Sequence, residues 1–217
     1  MQKEELKELI RSYRMTEIVE AGVKDRSLTR MLISLVYDKA DVTSWRAIEA
    51  IGLIAGETAR KNMDQIRNLS QRFLWMLREE SGNGPGSAPE LLGEIVRNSP
   101  DAFADIAQVL TSFHDEKMLR PGVMRALWRI IDKRPDLITI TPDILNNRLY
   151  LDDEDARVAV YAMMIAGRLR FRELLPCIEG RRSDGGSATI YLDGEFVKLP
   201  VSEVAEKTIS ELAVKED

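Results

Sequence analysis

The sequence predicts an all-α fold, a short right-handed superhelix of stacked helix pairs that ends in a small C-terminal β-hairpin and a capping helix. Apolar residues recur every three or four positions along most of the chain, the spacing of helices that bury one face. A related helix sequence recurs along the chain, which is typical of repeat proteins. Alternation typical of strands is almost absent before residue 188.

The composition indicates a globular chain with its own hydrophobic core. Of the 217 residues, 44% are hydrophobic and 31% are charged, as in packed domains. Acidic residues outnumber Lys and Arg by 36 to 31, which gives a net charge of −5. Domains that bind nucleic acid are usually basic, so this balance argues against nucleic acid as a partner.

Cysteine content and apolar run length indicate where the protein works. Cys177 is the single cysteine, which rules out an intramolecular disulfide and fits a reducing cytoplasm. The first twenty residues are charged throughout and lack the apolar stretch of a signal peptide. No apolar run approaches the roughly 18 residues of a membrane span. We therefore expect a cytoplasmic protein with no membrane partner.

The repeated motif is the second helix of each predicted pair. Its copies are TSWRAIEAIGLIAG (43–56), PGSAPELLGEIVRN (85–98), PGVMRALWRIIDKR (121–134) and EDARVAVYAMMIAG (154–167). Each copy follows another apolar helix, so the unit is helix A, turn, helix B. Small residues on helix B let neighbouring helices approach closely, and stacking the pairs buries a continuous core.

These observations predict one domain over residues 1–217. We expect repeat pairs at about 26–59, 63–98, 100–133 and 136–168, followed by a cap over 171–217.

Helix start signals divide the chain into elements. Ser99-Pro100-Asp101 and Thr141-Pro142-Asp143 each place a capping residue before a proline in the first turn, and Pro121 and Pro135 mark two more starts. The predicted helices lie near 3–20, 26–39, 44–59, 63–79, 88–98, 100–113, 122–133, 136–149, 154–168, 171–179 and 202–213. In SATIYLDGEFVKLP (187–200), an Asp-Gly pair between two β-prone runs predicts the hairpin.

Two stretches carry a resemblance to a known family. ADVTSWRAIEAIG (40–52) and LDDEDARVAVYAMMIAGRL (151–169) combine an Asp-rich turn with Arg, Ala and Gly in helix B. This pattern resembles HEAT-like repeats of the branch named after phycobiliprotein lyases. SGNGPGSAPELLGEI (81–95) with LRPGVMRALWRI (119–130) also resembles an uncharacterised bacterial group of HEAT-repeat proteins. The resemblance implies a fold and not an activity, and no residue here marks a bilin site.

The glycine-rich run SGNGPGS (81–87) raises the question of a phosphate site. It lacks the lysine of a P-loop and follows a helix, whereas P-loops and dinucleotide fingerprints follow a strand. Ser87 and Glu90 instead have the spacing of a capping box. We interpret the run as the turn of the second helix pair, and we expect Asn83, Pro85 and Ser87 to form a partner-binding tip.

Arginines and tryptophans of the repeats are further candidates for partner contact. Arg46, Arg125 and Arg157 occupy the same repeat position, where they form either a basic track or a structural ladder with aspartates of the turns; the ladder is favoured. The tryptophans Trp45, Trp75 and Trp128 are expected mainly in the core, with a hot spot as the alternative for Trp45 and Trp128.

The sequence predicts no catalytic residue, no metal site and no cofactor. His114 is the single histidine, so a site with several histidine ligands cannot form, and its place at a helix end explains it. Cys177 has no histidine nearby to activate it, and we expect it to be buried. Asp152 to Asp155 form a carboxylate run without the central glycine of a calcium loop.

We therefore predict a non-catalytic protein-interaction or scaffold module that binds an unknown protein through helix B residues or the A-to-B turns. Two alternatives stay open. A HEAT-like DNA glycosylase or nucleic-acid binder requires a basic groove, and a pigment or cofactor chaperone requires an apolar pocket with converging polar groups.

Overall fold

The computed structural model of the chain describes residues 2–78, 86–146, 150–151 and 153–214. Within these residues lie twelve α-helices and one two-stranded sheet. The helices are α1 Lys3–Arg11, α2 Met15–Lys24, α3 Arg26–Ile33, α4 Val42–Ala59, α5 Met63–Arg78, α6 Ala88–Asn98, α7 Ala104–Thr111, α8 Arg120–Lys133, α9 Pro142–Asn146, α10 Ala156–Arg168, α11 Leu175–Glu179 and α12 Val201–Ala213. The strands are β1 Ser187–Leu192 and β2 Glu195–Pro200.

The predicted class, helices followed by a C-terminal hairpin and helix, is confirmed. The helix predicted near 3–20 is wrong in detail, because it is two helices that meet at a corner around Tyr13. Tyr13 has a φ of 53°, in the left-handed region that non-glycine residues rarely adopt. Its hydroxyl donates to Glu49 Oε1 at 3.1 Å. No glycine or proline marks this corner, so the sequence pattern runs straight through it.

Other predicted helices are shorter in the structure. Helix α3 ends at Ile33 and not near 39, and a series of turns follows it. The helix predicted near 136–149 is a 3-10 turn at 135–137 followed by the short α9. Thr141-Pro142 begins α9 as predicted. The end predicted near 149 lies outside the described residues.

The chain divides into two compact units. Unit 1 comprises residues 1–106 together with 193–195, and unit 2 comprises 107–192 together with 196–217. The single domain over 1–217 stays a prediction beside this division.

Unit 1 is built around α4. Helices α2, α3, α5 and α6 pack against it, and most of its side chains are buried. A Cβ on Gly52 would lie 2.5 Å from Glu94 Cβ and 3.0 Å from the Glu94 carbonyl oxygen, and one on Gly56 would lie 3.0 Å from Asn98 Cβ. The glycines of α4 thus allow its backbone to pack closely against α6 at Glu94 and Asn98. This is the close approach that the small residues of helix B predict.

Unit 2 is a stack of α8, α10 and α12. Helix α10 lies between the other two, and Val158 to Met163 and Ile165 to Gly167 are buried. Helix α12 covers α10 with Val204, Ala205 and Thr208, which is the capping role that the sequence predicts for the last helix.

The hairpin turn has the conformation that its Asp-Gly pair predicts. Asp193 has a φ of 44° and Gly194 a φ of 95°, so both central residues are left-handed, as a type I′ turn requires. A Cβ on Gly194 would also lie 2.7 Å from Tyr13 Cζ. Glycine is therefore needed here both for the turn and for the close contact within unit 1.

Aspartates cap the first turns of three helices. Asp25, Asp41 and Asp155 each accept a hydrogen bond from the backbone N–H two residues further on. This pairing satisfies a donor that a helix start otherwise leaves open. The Asp-rich turns of the repeat motif thus begin helices.

Replacing Asp41 with alanine is expected to lower the free energy of unfolding by about 1 kcal/mol at pH 7, as for other capping residues. Hydrogen bonds from the Thr43 hydroxyl and N–H hold the pKa of Asp41 below its usual value. The carboxylate therefore stabilises the fold above pH about 4, and this contribution is lost as the pH falls through the lower folded-state pKa. Urea unfolding at pH 7 and at pH about 2.5 measures it.

Glu20, an exposed carboxylate of α2, provides the matched control. Glu20→Ala is expected to change stability by less than about 0.5 kcal/mol at either pH. A cost for Asp41→Ala that is the same at both pH values would contradict the role of the charged cap.

Candidate functional site

The tryptophans of helix B lie in the core. Trp45 is 7% exposed, and its indole N–H donates to the Lys39 carbonyl oxygen at 3.0 Å. Trp128 is 9% exposed and stacks on Tyr161 with ring centroids 5.6 Å apart. Trp128 also borders a cavity of about 390 Å³ between α8, α10 and α12.

The repeat arginines bond to the protein itself. Arg46 donates from Nε to the Gly194 carbonyl oxygen at 2.7 Å and from Nη1 to that of Arg11 at 2.6 Å. Arg125 is 1% exposed. Arg157 forms a two-pronged ion pair with Asp155, with Nη2 2.5 Å from Oδ2. The ladder interpretation fits Arg157, whereas Arg46 uses backbone acceptors.

Ser87 does not form the predicted capping box. Its hydroxyl donates to the Val36 carbonyl oxygen at 2.7 Å in a buried position, and no side chain caps α6. Glu90 pairs instead with Lys39, Oε1 to Nζ at 2.5 Å. The capping prediction is wrong because both side chains find partners in the preceding repeat. Asn83 and Pro85, the other tip residues, lie outside the described residues.

Trp75 is exposed, contrary to the core position that we expected. It lies on α5 with 61% of its surface accessible, the same fraction as Tyr37 in the turns after α3. Cys177, also expected in the core, is exposed on the five-residue α11. Trp75 and Tyr37 belong to the A side of the first two pairs, whereas every tryptophan and arginine that we expected at a partner surface belongs to helix B.

A groove lies close to these aromatic residues in sequence. It has a volume of about 280 Å³ and lies between α3 and α5, with α4 at its base. We call it the α3–α5 groove. Apolar side chains line its interior, namely Ile33, Ile51, Ile54, Ala55, Ile66 and Leu69. Trp75 follows Arg72 by three residues within α5, so it continues the α5 wall of the groove by one turn. Tyr37 lies four residues after Ile33, in the turns that follow α3.

Three arginines border the α3–α5 groove, Arg26, Arg30 and Arg72, and no acidic residue lines it. All three are exposed. Within the described part of the chain, none of them forms an ion pair. The nearby Asp25 is engaged by Ser27, whose N–H and hydroxyl both donate to it at 2.8 Å. The groove therefore combines an apolar interior with a positive rim.

A cavity of unit 2 that is lined by charged residues has the opposite character. Its volume is about 570 Å³ and its lining contains Lys117, Arg120 and Arg157. Each cation has its own carboxylate, since Arg120 pairs with Asp153 at 2.7 Å, Arg157 with Asp155, and Lys117 with Glu154 at 3.3 Å. Among the described residues that line this cavity, the positive and negative charges therefore balance.

His114 belongs to a partly buried network beside this cavity. Its Nδ1 contacts the Tyr150 hydroxyl, which also donates to Asp115 Oδ1 at 3.2 Å. Burial, followed by the charge of Asp115, raises the pKa of Tyr150 to about 12, so the phenol stays neutral at pH 7. The structure thus gives His114 a packing role.

Sequence reasoning missed the α3–α5 groove because it followed the repeated helix B. Helix A residues carried a usable signal. Arg26 and Arg30 are four residues apart, and no carboxylate stands three or four residues from Arg26, Arg30 or Arg72. Such spacing leaves helical arginines without a partner in their own helix.

The described residues contain neither a metal-binding cluster nor a membrane-spanning helix. Among the residues 2–78, 86–146, 150–151 and 153–214, no group of three His, Cys, Asp or Glu side chains could hold a metal ion. In the same ranges, every helix is too short or too polar to cross a membrane.

Within each unit, the second helices of consecutive pairs lie side by side. This arrangement of helix pairs defines a HEAT-like helical-repeat fold. No family model matches the chain, and no curated protein matches it. A designed armadillo repeat protein, YIII(Dq)4CqI, is similar over 97% of this chain and 92% of its own, with 16% identity and a TM-score of 0.49. The HEAT-like repeats protein of the archaeon Thermococcus onnurineus NA1 is similar over 98% and 97%, with 16% identity and a TM-score of 0.39.

Proposed function

We propose that this chain is a non-catalytic protein-interaction module and that the α3–α5 groove, together with Tyr37 and Trp75, is its docking surface. One observation carries the proposal: unit 1 has an apolar groove between α3 and α5, and two large aromatic side chains that follow its lining residues in sequence, Tyr37 and Trp75, are 61% exposed. Trp, Tyr and Arg are the residues that most often dominate binding energy at protein interfaces. All three types occur exposed in unit 1, on α3 and α5 or in the turns directly after α3.

The supporting helices are suited to this task because they rest on a closely packed base. Leu28 and Leu32 of α3, and Ile66 and Phe73 of α5, are buried against the rest of unit 1. Trp75 and the three groove arginines therefore project from helices held by core contacts, so a partner would order few groups when it binds.

The proposal moves the contact surface from helix B to helix A. Helices α6 and α8 are buried along nearly their whole length, so they offer little surface to a partner. Of the residues that we expected at the tip of the turn 81–87, Asn83 and Pro85 stay proposed partner contacts. Ser87 itself donates inward to Val36.

We further propose that the repeats belong to the type named after phycobiliprotein lyases, on the motifs at 40–52 and 151–169, and that the protein acts in the cytoplasm, on its single cysteine. Nucleic-acid binding and pigment binding remain the alternatives. A gel shift with duplex DNA at moderate salt tests the first, and absorbance after incubation with tetrapyrroles tests the second.

Replacing both Tyr37 and Trp75 with alanine is expected to leave stability unchanged within about 0.5 kcal/mol, because both rings are exposed. Binding of the partner is expected to fall about 30-fold or more, the loss typical of hot-spot residues. The partner is first captured from the source cell with the wild-type chain and then purified. Calorimetry measures its affinity for the wild type and for the Tyr37→Ala/Trp75→Ala variant.

Met118, 95% exposed in unit 2, gives the matched control, and Met118→Ala is expected to bind the partner normally. Recovery of no stoichiometric partner by the wild type, or equal affinity of the Tyr37→Ala/Trp75→Ala variant, would overturn the proposed function.

A further inference from the structure

We infer that the occupant of the α3–α5 groove is an acidic amphipathic helix of a partner protein. Its apolar stripe would lie against the groove interior, and its carboxylates would pair with Arg26, Arg30 and Arg72. This inference rests on the proposed function and names the chemistry of its partner. Length, charge and groove chemistry each support it.

The length of the groove matches a helix that binds through one apolar stripe. Its α3 wall runs from Arg26 to Ile33 and its α5 wall from Gln65 to Arg72. Each wall therefore spans eight residues, which rise about 10 Å along a helix. Helices that bind in grooves use anchors at i, i+3 or i+4, and i+7, which cover the same length of eight residues. Two turns of a partner helix thus suffice to fill the groove.

The charge of the groove selects an acidic partner. The chain as a whole carries a net charge of −5, yet the residues that line this groove include three arginines and no acid. Arginine binds carboxylates with two parallel hydrogen bonds. A basic helix would meet three like charges at the rim, and an uncharged helix would leave the guanidinium groups partly desolvated without a partner.

The interior of the groove favours a protein over a nucleic acid or a small cofactor. Its six apolar residues offer nothing to a phosphate backbone, and single-stranded nucleic acid binds to longer basic tracks. The volume of about 280 Å³ falls just below the range of roughly 300–1,000 Å³ of small-molecule pockets. A few apolar side chains of a helix fit this space.

Fluorescence anisotropy with synthetic peptides tests the inference on the full chain. The probe is a labelled helical peptide with Leu at i, i+4 and i+7 and Glu at the flanking positions. The first control has Lys in place of every Glu, and the second has the Leu positions scrambled. We expect the acidic amphipathic peptide to bind at least about tenfold more tightly than either control. Raising the salt from about 50 to about 300 mM should weaken its binding.

Matched variants assign the binding to the groove. Arg30→Gln/Arg72→Gln removes two exposed rim charges and is expected to weaken the acidic peptide about tenfold or more. Arg60→Gln removes an arginine of the same unit outside the groove, with its side chain 73% exposed, and is expected to bind normally. Circular dichroism verifies that both variants remain folded.

Three outcomes overturn the inference: no binding of the acidic peptide up to about 1 mM, equal or tighter binding of the lysine peptide, or equal affinities of the Arg30→Gln/Arg72→Gln variant and the wild type. Tighter binding of a duplex DNA oligonucleotide than of the peptide would also overturn it, and would favour nucleic acid. If the acidic peptide does not bind while binding of a captured partner still requires Trp75, the proposed function stands. Only the inference that the partner presents an acidic helix is then wrong.

Discussion

Replacing Arg120 with methionine is expected to cost about 3–5 kcal/mol of unfolding free energy, the range found when one member of a buried ion pair is removed. Arg120 and Asp153 have side chains that are only 10% exposed each. The guanidinium also donates to the carbonyl oxygens of His114 and Asp115 at 3.0 and 3.2 Å. Methionine fills much of the volume but leaves a buried carboxylate and two carbonyl groups without their donor.

Urea unfolding of the full chain measures this loss, and hydrogen exchange of α8 and α10 locates it in unit 2. Lys117→Ala is the control, since Lys117 and Glu154 are exposed by 79% and 90% and such pairs contribute little. Arg120→Met/Asp153→Leu is expected to recover part of the loss, because the buried charge leaves with its partner. A cost below about 1 kcal/mol for Arg120→Met would contradict a structural role for this pair.

Replacing Gly52 with valine is expected to destabilise unit 1 by about 3 kcal/mol, at the upper end of the usual cost of overpacking. A Cβ at this position meets Glu94 Cβ at 2.5 Å and the Glu94 carbonyl carbon and oxygen at 3.0 Å. Backbone atoms of a packed helix cannot yield as the end of a flexible side chain does. Helix propensity alone predicts the opposite sign for Gly52→Ala, a gain of up to about 1 kcal/mol.

The sign of Gly52→Ala therefore separates packing from propensity, and we expect a loss. Gly86 provides the control in the same unit, because a Cβ there would meet nothing within 4 Å, so Gly86→Ala should change stability by less than about 0.5 kcal/mol. Urea unfolding followed by circular dichroism measures all three variants. Stabilisation by Gly52→Ala would show that α4 and α6 can separate at little cost.

The fold was predictable where one local signal decides the structure. Two such signals act within a few residues, the Asp-Gly pair of the hairpin turn and Pro142 at the start of α9. The small residues of helix B act through their size, which allows helices to approach closely. The corner at Tyr13 was not predictable, because Glu49 and Arg46, both distant in sequence, hold it. Ser87 likewise matched a local capping pattern, but its hydroxyl donates a hydrogen bond to the Val36 carbonyl oxygen instead.

The candidate site was less predictable than the fold. A repeated motif identifies residues that pack in every repeat. The repeated arginines and tryptophans of helix B are accordingly buried or bonded within the protein. A groove between two A helices depends instead on which faces the core leaves uncovered. Only the unmatched charges of Arg26, Arg30 and Arg72 could have indicated that surface in advance.

The division of the chain has a consequence for its synthesis on the ribosome. Arg46 is bonded to Gly194, and both belong to unit 1, yet the intervening chain from 107 to 192 belongs to unit 2. At translation rates of about 5–20 residues per second, residue 194 emerges roughly 4–18 s after residue 106. Until then Arg46 Nε has no Gly194 carbonyl oxygen to bind, so unit 1 reaches its final hydrogen bonding only after most of unit 2 has been made.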